Sequence, residues 1–206
     1  EDATYLGVGN GLLVLQDEPP GLSLAGEFNR RDAWLAMRTA QQLGDWSLDQ
    51  LLEIMNRFPG LQRRMELLTP GLYSDYAHTP EKIRGAMSTA LEMAGQDRQV
   101  VIVYEPLTDR RQHHMLDDYK DCFSGAAKVY WLPSYLAREN PNVAILTPQE
   151  LITHLADPSI AQPAAMGPDL QQTISRHLAA GDIVVAIAGG GGGSLDEWLR
   201  QEFTGK

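Results

Sequence analysis

Positive charge, cysteine and long apolar runs are all scarce in this chain of 206 residues. Lysine and arginine number 17 against 27 aspartates and glutamates, a formal charge of −10. Nucleic acid and anionic membrane are thereby excluded as main partners, because both need a basic footprint. A phosphate-bearing ligand must instead be met by a local group of arginines or by helix N-termini. The single cysteine, Cys122, rules out an intrachain disulfide and points to a reducing compartment, the cytoplasm. It sits in a helical pattern, where it reads as a small buried apolar residue rather than a nucleophile. No apolar run approaches the roughly 18 residues of a membrane span. No GxxxxGK[ST] sequence occurs, so the chain carries no P-loop of its own. Its first residue is Glu1 rather than Met, as expected of a piece of a longer protein, so missing targeting signals carry no weight.

What is present, at 43% hydrophobic residues, is enough for a core. The most informative stretch runs from Tyr73 to Ala94. It predicts a short strand over Leu72 to Tyr76, then Asp75, Tyr76 and His78 within four residues, then a helix with Thr79 as N-cap and Pro80 as its first residue. Ile83, Ala86, Met87, Ala90, Leu91 and Ala94 form one apolar stripe on that helix. The acid, the phenol and the imidazole are therefore expected at the carboxyl end of a strand, where an open α/β sheet places its ligand. The plainer alternative is that Asp75 caps a turn and His78 is a partly buried structural residue.

Taken in order, Tyr5 to Val8 and Leu12 to Leu15 flank Gly9-Asn10-Gly11 and read as a hairpin, closed off by Asp17 to Gly21. Helical patterns follow from Asn29, with Ala33, Ala36, Met37, Ala40 and Leu43 on one face. A second helix opens at the Ser47 to Gln50 capping box, burying Leu48, Leu51, Leu52, Met55 and Phe58. Phe58-Pro59-Gly60 breaks the chain, giving expected domains of residues 1–61 and 62–206. Beyond it, strands are expected at 65–68, 72–76, 99–104, 128–132, 143–146 and 183–187. Helices are expected at 80–94, about 110–123, 148–155, 168–179 and 195–203. Strands alternating with helices imply an α/β, Rossmann-like, mostly parallel sheet with flanking helices, preceded by a small α+β remnant.

Four groups could carry chemistry. Arg63 and Arg64 directly follow the break and suit a phosphate-bearing ligand lying between domains, across a hinge from Asp75 to His78. Arg110 or Arg111, after the buried strand, could hold a substrate carboxylate; alternatively they face water while Asp109 caps the helix. His113, His114, Asp117 and Asp118 fall on different faces of a helix and make a poor metal site, so none is assigned. Gly189 to Gly193 follow the last strand rather than the first, before a Ser194 to Glu197 capping box whose acids would repel an anion. A mobile connection or a loop closing over a ligand fits them better than a pyrophosphate cradle.

Asp75-Tyr76-Ala77-His78-Thr79-Pro80 resembles the D-Y-x-H-x-P signature opening the C-terminal domain of the Mur ligases, ATP-dependent enzymes that add amino acids to UDP-N-acetylmuramate in peptidoglycan synthesis. Gly26 to Asp32 resembles the G-x-H-N-x-x-N segment of their central ATPase domain, and Phe58 to Glu66 resembles F-x-G-x-x-R-R-x-E. Glu105 to Arg111, followed by Asp117-Asp118-Tyr119, is similar to Q-P-H-R-Y-T-R and D-D-F of the L-alanine-adding branch. The resemblance implies that residues 1–61 end the central ATP-binding domain and residues 62–206 form the amino-acid-binding domain. It also implies ATP and Mg²⁺ as cofactors, with a UDP-N-acetylmuramate-type acid and a free amino acid as partners, and ligation through an acyl-phosphate. Arg64 would contact ATP phosphates, Asp75 the ribose and Asn29 the adenine side; Tyr76, His78 and Arg111, with Arg110 beside it, would bind the amino acid. Arg64 and His78 are the expected catalytic pair. Phe28, Asp32 and Thr108 depart from the family pattern. Recycling tripeptide ligases and the diaminopimelate-adding branch are alternatives within the family, and a non-catalytic nucleotide-binding module is the alternative of another class. Without the N-terminal UDP-binding domain and P-loop, this piece alone should not turn over.

Overall fold

The computed structural model describes residues 21–137 and 139–205, so the expected hairpin at Tyr5 to Leu15 lies outside the described residues. The chain divides into two units, Glu1–Pro59 and Gly60–Lys206. In the first, α1 (Glu27–Leu43) is followed by α2 (Leu48–Asn56). The capping box of α2 forms as read: the Ser47 hydroxyl accepts from the Gln50 N–H while the Gln50 side chain accepts from Ser47. Burial is narrower than the helical pattern suggested. Ala33, Met37 and Leu51 are buried, whereas Leu43 and Phe58 are exposed, each just at or past the end of its helix.

The second unit is a six-stranded sheet with helices on both faces. Its strands are β1 (Glu66–Thr69), β2 (Leu72–Asp75), β3 (Val100–Glu105), β4 (Lys128–Trp131), β5 (Ala161–Pro163) and β6 (Ile183–Ala188). They lie in the order β1-β2-β6-β3-β4-β5, parallel except for the antiparallel edge strand β1. The central strands β3 and β6 are buried at every position, which is why their Val and Ile runs are continuous rather than alternating. Alternate residues serve opposite cores. Val100, Ile102 and Tyr104 with Ile183, Val185 and Ile187 face α3 (Pro80–Ala94), α4 (Asp109–Met115), α5 (Tyr119–Cys122) and α6 (Pro148–Ile152). Val101 and Val103 with Val184 and Ala186 face α7 (Pro168–Ala180) and α8 (Leu195–Thr204). Four rings, Tyr104, Tyr119, Phe123 and Trp131, fill the first core, with Trp131 4.9–5.4 Å from each of the others. Cys122 lies fully buried beside them, and burial pushes its thiol up to about 12.

Several local expectations are corrected. Val143 to Leu146 is not a strand: the Leu146 N–H donates to Asp109 Oδ1 at 2.7 Å and the Ala144 carbonyl meets His113 Nε2 at 3.1 Å. These bonds to side chains, and that of the Val143 N–H to the Asn140 carbonyl, take the place of a ladder, and the position beside β4 is filled by β5. β5 has no apolar alternation to reveal it, and its proline is tolerable only because it is an edge. The helix expected over 110–123 is interrupted by a 3₁₀ turn at Leu116–Asp118. Leu91 leaves the α3 stripe, at 38% exposure, and lies over Gly125, whose positive φ of 90° and missing Cβ make room for it.

Ile174, fully buried on α7, and Leu67, exposed on β1, measure the packing directly. Ile174→Ala is expected to cost about 2–5 kcal/mol in urea unfolding of this unit, and Leu67→Ala to stay within about 0.5 kcal/mol.

Candidate functional site

β2, β6 and β3 end side by side, with Asp75 opposite Ile187 and Glu105 opposite Ala188. The chain leaving β2 and β3 runs to helices on one face, and the chain leaving β6 runs to α8 on the other. The rim at these three ends is therefore a topological switch point, the crevice where open α/β sheets take ligands.

The segment Arg63 to Glu66 is folded against this rim. Arg63 and Met65 have φ of 54° and 46°, in a region that residues with a Cβ seldom adopt. Three bonds hold them there. The Arg63 N–H donates to Glu66 Oε2 (2.8 Å), the Met65 N–H to Asp75 Oδ2 (2.9 Å), and the Arg63 carbonyl accepts from the Tyr76 N–H (2.7 Å). Asp75 Oδ1 also accepts from the Ala77 N–H at 2.8 Å, so Asp75 does cap a turn, and each of its oxygens is engaged by backbone. The guanidinium carbons of Arg63 and Arg64 lie 4.5 and 6.0 Å from the Tyr76 ring centroid. The two arginines are thus not set across a boundary from Tyr76. They share its unit and stack on its ring.

His78 is the focus of the charges. Its Nδ1 lies 2.8 Å from the Tyr76 carbonyl, which can only accept, so Nδ1 carries the proton and Nε2 keeps its lone pair. Its ring meets Tyr76 edge-on at 4.8 Å. Burial, and then the positive charges of Lys82, Arg111 and Arg64, hold its pKa below the usual histidine value, against the opposing pull of the Tyr76 carbonyl. Thr79 occupies the N-cap position of α3 with Pro80 first in the helix, but its hydroxyl makes no capping bond.

Arg111 Nη1 donates to the His78 carbonyl at 3.1 Å, joining the β3–α4 turn to the β2–α3 turn. Arg110 is exposed, and its backbone N–H donates to Glu139 at 3.0 Å. The glycine run closes the third side. Gly189 and Gly190 are buried; a Cβ on Gly189 would lie 2.8 Å from Leu107 Cβ and 3.0 Å from His78 Cβ, and one on Gly190 2.6 Å from the Tyr135 ring. Tyr135 also donates its hydroxyl to the Gly192 carbonyl at 3.2 Å. The first two glycines are therefore spacers in a packed contact rather than a mobile connection, and Gly191 to Gly193 are exposed. Asn29 belongs to the first unit, where its side chain donates to the Ala25 carbonyl at 2.8 Å. His113 pairs with Asp109 at 3.1 Å. Among the described residues no three His, Cys, Asp or Glu side chains converge as metal ligands, and no helix is long and apolar enough to cross a membrane.

The family model for the Mur ligase, glutamate ligase domain, matches residues 63–191, from the first rim arginine into the glycine run. The chain belongs to the Mur ligase family. It is 26% identical over 190 residues to a UDP-N-acetylmuramate–L-alanine ligase of Rickettsia canadensis, covering 88% of this chain but 39% of that relative. The solved UDP-N-acetylmuramate-alanine ligase of Thermotoga maritima superposes with a TM-score of 0.63 at 19% identity, over 89% of this chain and 38% of its own. Folylpolyglutamate synthase of Mycobacterium tuberculosis, solved with ADP and AMPPCP, superposes with a TM-score of 0.54 at 19% identity, over 82% of this chain and 38% of its own. The mostly parallel six-stranded sheet with flanking helices is thus the Mur ligase C-terminal fold.

In this Mur ligase domain the rim rests on a second tier of partly buried charge that the motifs did not reveal. Arg200 donates to Glu66 at 2.6 and 3.1 Å and to Asp196 at 3.1 and 3.2 Å, and Ser74 donates to Asp196 from the middle of β2. Hydrogen bonding from Arg200 lowers the Glu66 pKa. Burial alone would raise that of Asp196, but Arg200 and Ser74 together outweigh it and lower it. The expected Ser194 to Glu197 capping box does not form: the Ser194 side chain makes no capping bond, and Glu197 accepts from Gly193 instead. The cap comes from elsewhere in the fold, as Glu105 Oε1 accepts from the Leu195 N–H at 3.1 Å. Glu105 is 3% exposed and its Oε2 has no hydrogen-bond partner among the described residues. Its spacing in β3 hints at none of this, since α8 is 90 residues away in sequence.

Burial pushes the Glu105 carboxyl from an ordinary 4.5 up to about 7. Between those values the folded chain keeps a proton that the unfolded chain has lost, so stability falls as pH rises through this window. Glu105→Gln keeps the acceptor for Leu195 and removes the charge. Its urea midpoint should therefore exceed that of the wild type at pH 8 and match it near pH 4, a difference on the order of 3 kcal/mol. Parallel pH profiles for the two proteins would contradict the assignment.

Proposed function

We propose that this chain is the C-terminal part of an ATP-dependent ligase that joins a free amino acid, L-alanine first among candidates, to a UDP-N-acetylmuramate-type acid in peptidoglycan synthesis. Residues 62–206 serve as the amino-acid-binding domain and residues 1–61 as the end of the central ATP-binding domain, in the cytoplasm. The observation that carries this reading is the convergence at the exit of β2 of Arg111, bonded to the His78 carbonyl, with Arg63 and Arg64 over the Tyr76 ring, in a chain whose net charge is −10. Such a local excess of cations is a device for anions, and an amino-acid ligase has to hold phosphates and a carboxylate at once. The L-alanine ligases among the relatives supply the substrate class.

We assign the rim residues the following parts, which their geometry supports. Arg64, held between two left-handed residues, presents its guanidinium to phosphoryl oxygens. Arg111, already bonded to the His78 carbonyl, holds the amino acid's carboxylate beside the imidazole, with Arg110 adding charge from solvent. His78 Nε2 accepts an N–H of the attacking amine, orienting its lone pair toward the acyl carbon. Tyr76 supports both arginines by its ring face. Asp75 reaches a nucleotide ribose only through lone pairs its two backbone donors leave free. ATP, when bound, supplies the phosphoryl group that activates the acid. The rim fits its phosphates by charge, and Asn29 is assigned to its adenine side. Mg²⁺ belongs to the same reaction, but no converging carboxylates among the described residues fit it, so no residue here is assigned to it.

The test is phosphate release by the intact ligase with UDP-N-acetylmuramate, ATP and single amino acids. Release should depend on L-alanine. Arg111→Ala should raise KM for the amino acid about tenfold or more with KM for ATP within about twofold, and Arg64→Ala should act on ATP instead. Nucleotide binding without release for any amino acid would favour a non-catalytic module.

A further inference from the structure

The turn from β3 into α4 is strained and has no cap of its own. Thr108 adopts φ 56° and ψ 131°, a sparsely populated region for a residue with a Cβ, and its side chain makes no capping bond to α4. Yet this turn meets the exits of the rim's other two strands, β2 through Arg111 on the His78 carbonyl and β6 through Leu107 against Gly189. On its solvent side it is tied to the chain after β4, where Thr108 N–H donates to the Tyr135 carbonyl and Tyr135 N–H to that of Pro106. On its inner side it is held by one side chain, Gln112, which is fully buried. Gln112 Nε2 donates to the carbonyls of both Leu107 and Thr108 at 3.0 Å.

The amide is oriented from below. Tyr119 donates its hydroxyl to Gln112 Oε1, and with that proton engaged the 3.0 Å contact between Tyr104 and Tyr119 requires Tyr104 to donate. The chain Tyr104 to Tyr119 to Gln112 to the two carbonyls therefore runs in one direction. A flipped amide would set its oxygen against two carbonyls, neither of which has a proton to give. Both tyrosines are fully buried in the four-ring cluster, and burial raises their pKa values, so the hydroxyls keep their protons.

We propose that Gln112 is a positioning residue for the rim: locked in one orientation by a hydroxyl chain from the core, it fixes the strained Leu107–Thr108 turn. It thereby sets where Arg111 and the glycine run meet His78. In its kinetic consequence this rests on the ligase reading, because Arg111 matters only if an amino acid binds there.

Gln112→Met, which keeps size but loses the amide, and Tyr119→Phe, which removes only a hydroxyl, test it in the intact ligase. Hydrogen exchange of the Thr108 to Arg111 amides should quicken about tenfold or more in both variants while β3 amides are unchanged. KM for the amino acid should rise about three- to tenfold with KM for ATP within about twofold. Unchanged turn exchange in both variants would overturn the proposal. So would equal quickening of the turn and β3, which marks a general core defect. If Gln112→Met does not fold, Tyr119→Phe decides alone. If the wild type ligates no amino acid, the ligase reading fails, while the exchange comparison still decides the role of Gln112.

Discussion

The carboxylate of Asp75 is the constraint on which the rim depends. One oxygen takes the N–H of Met65 and the other that of Ala77, so one buried side chain binds the arginine turn to the exit of β2. Without the first bond the Met65 N–H loses its partner, and one of the three bonds that hold the left-handed backbone flanking Arg64 is gone. Burial raises the Asp75 pKa although both backbone bonds and both arginines pull it down. Its charge is therefore kept at a net cost, as is usual where position rather than stability is the outcome.

Two tiers of charge follow from that arrangement. The outer tier, Arg64, Lys82 and Arg111, lowers the His78 pKa, and in the proposed reaction it is the part that meets the anionic substrates. The inner tier, Arg63, Glu66, Asp196 and Arg200, is largely internally paired and carries the outer one on the sheet. An acidic protein can in this way attract anionic substrates at one place while its remaining surface repels them.

Much of the sheet was legible because β3 and β6 are covered on both faces, and their β-branched runs announce it. The Asp75 to His78 placement was legible because Pro80 and the α3 stripe fix where strand stops and helix begins. Val143 to Leu146 misled because its apolar residues look like a strand, while the side chains that meet its backbone, Asp109 and His113, lie more than 30 residues away. Glu105 and Arg200 were invisible for the same reason: Leu195 and Glu66 are brought near them only by the sheet's strand order, and neither spacing nor periodicity encodes that. Gln112 has its partners within seven residues, but the irregular turn that aims its amide at them leaves no periodic signal. The glycine run was legible as a loop, but its tight contacts with Leu107, His78 and Tyr135 required the fold.

The central claim is a neutral His78 with its lone pair on Nε2, set among cations that await an anion. Imidazole ¹⁵N and ¹³C NMR of the intact protein, titrated from pH 5 to 8 with and without inorganic phosphate, tests it directly. The account predicts the Nδ1–H tautomer, a pKa below the ordinary value of about 6.5, and a rise in that pKa when phosphate binds. An Nε2–H tautomer, or a pKa at or above the ordinary value that phosphate does not move, would contradict it.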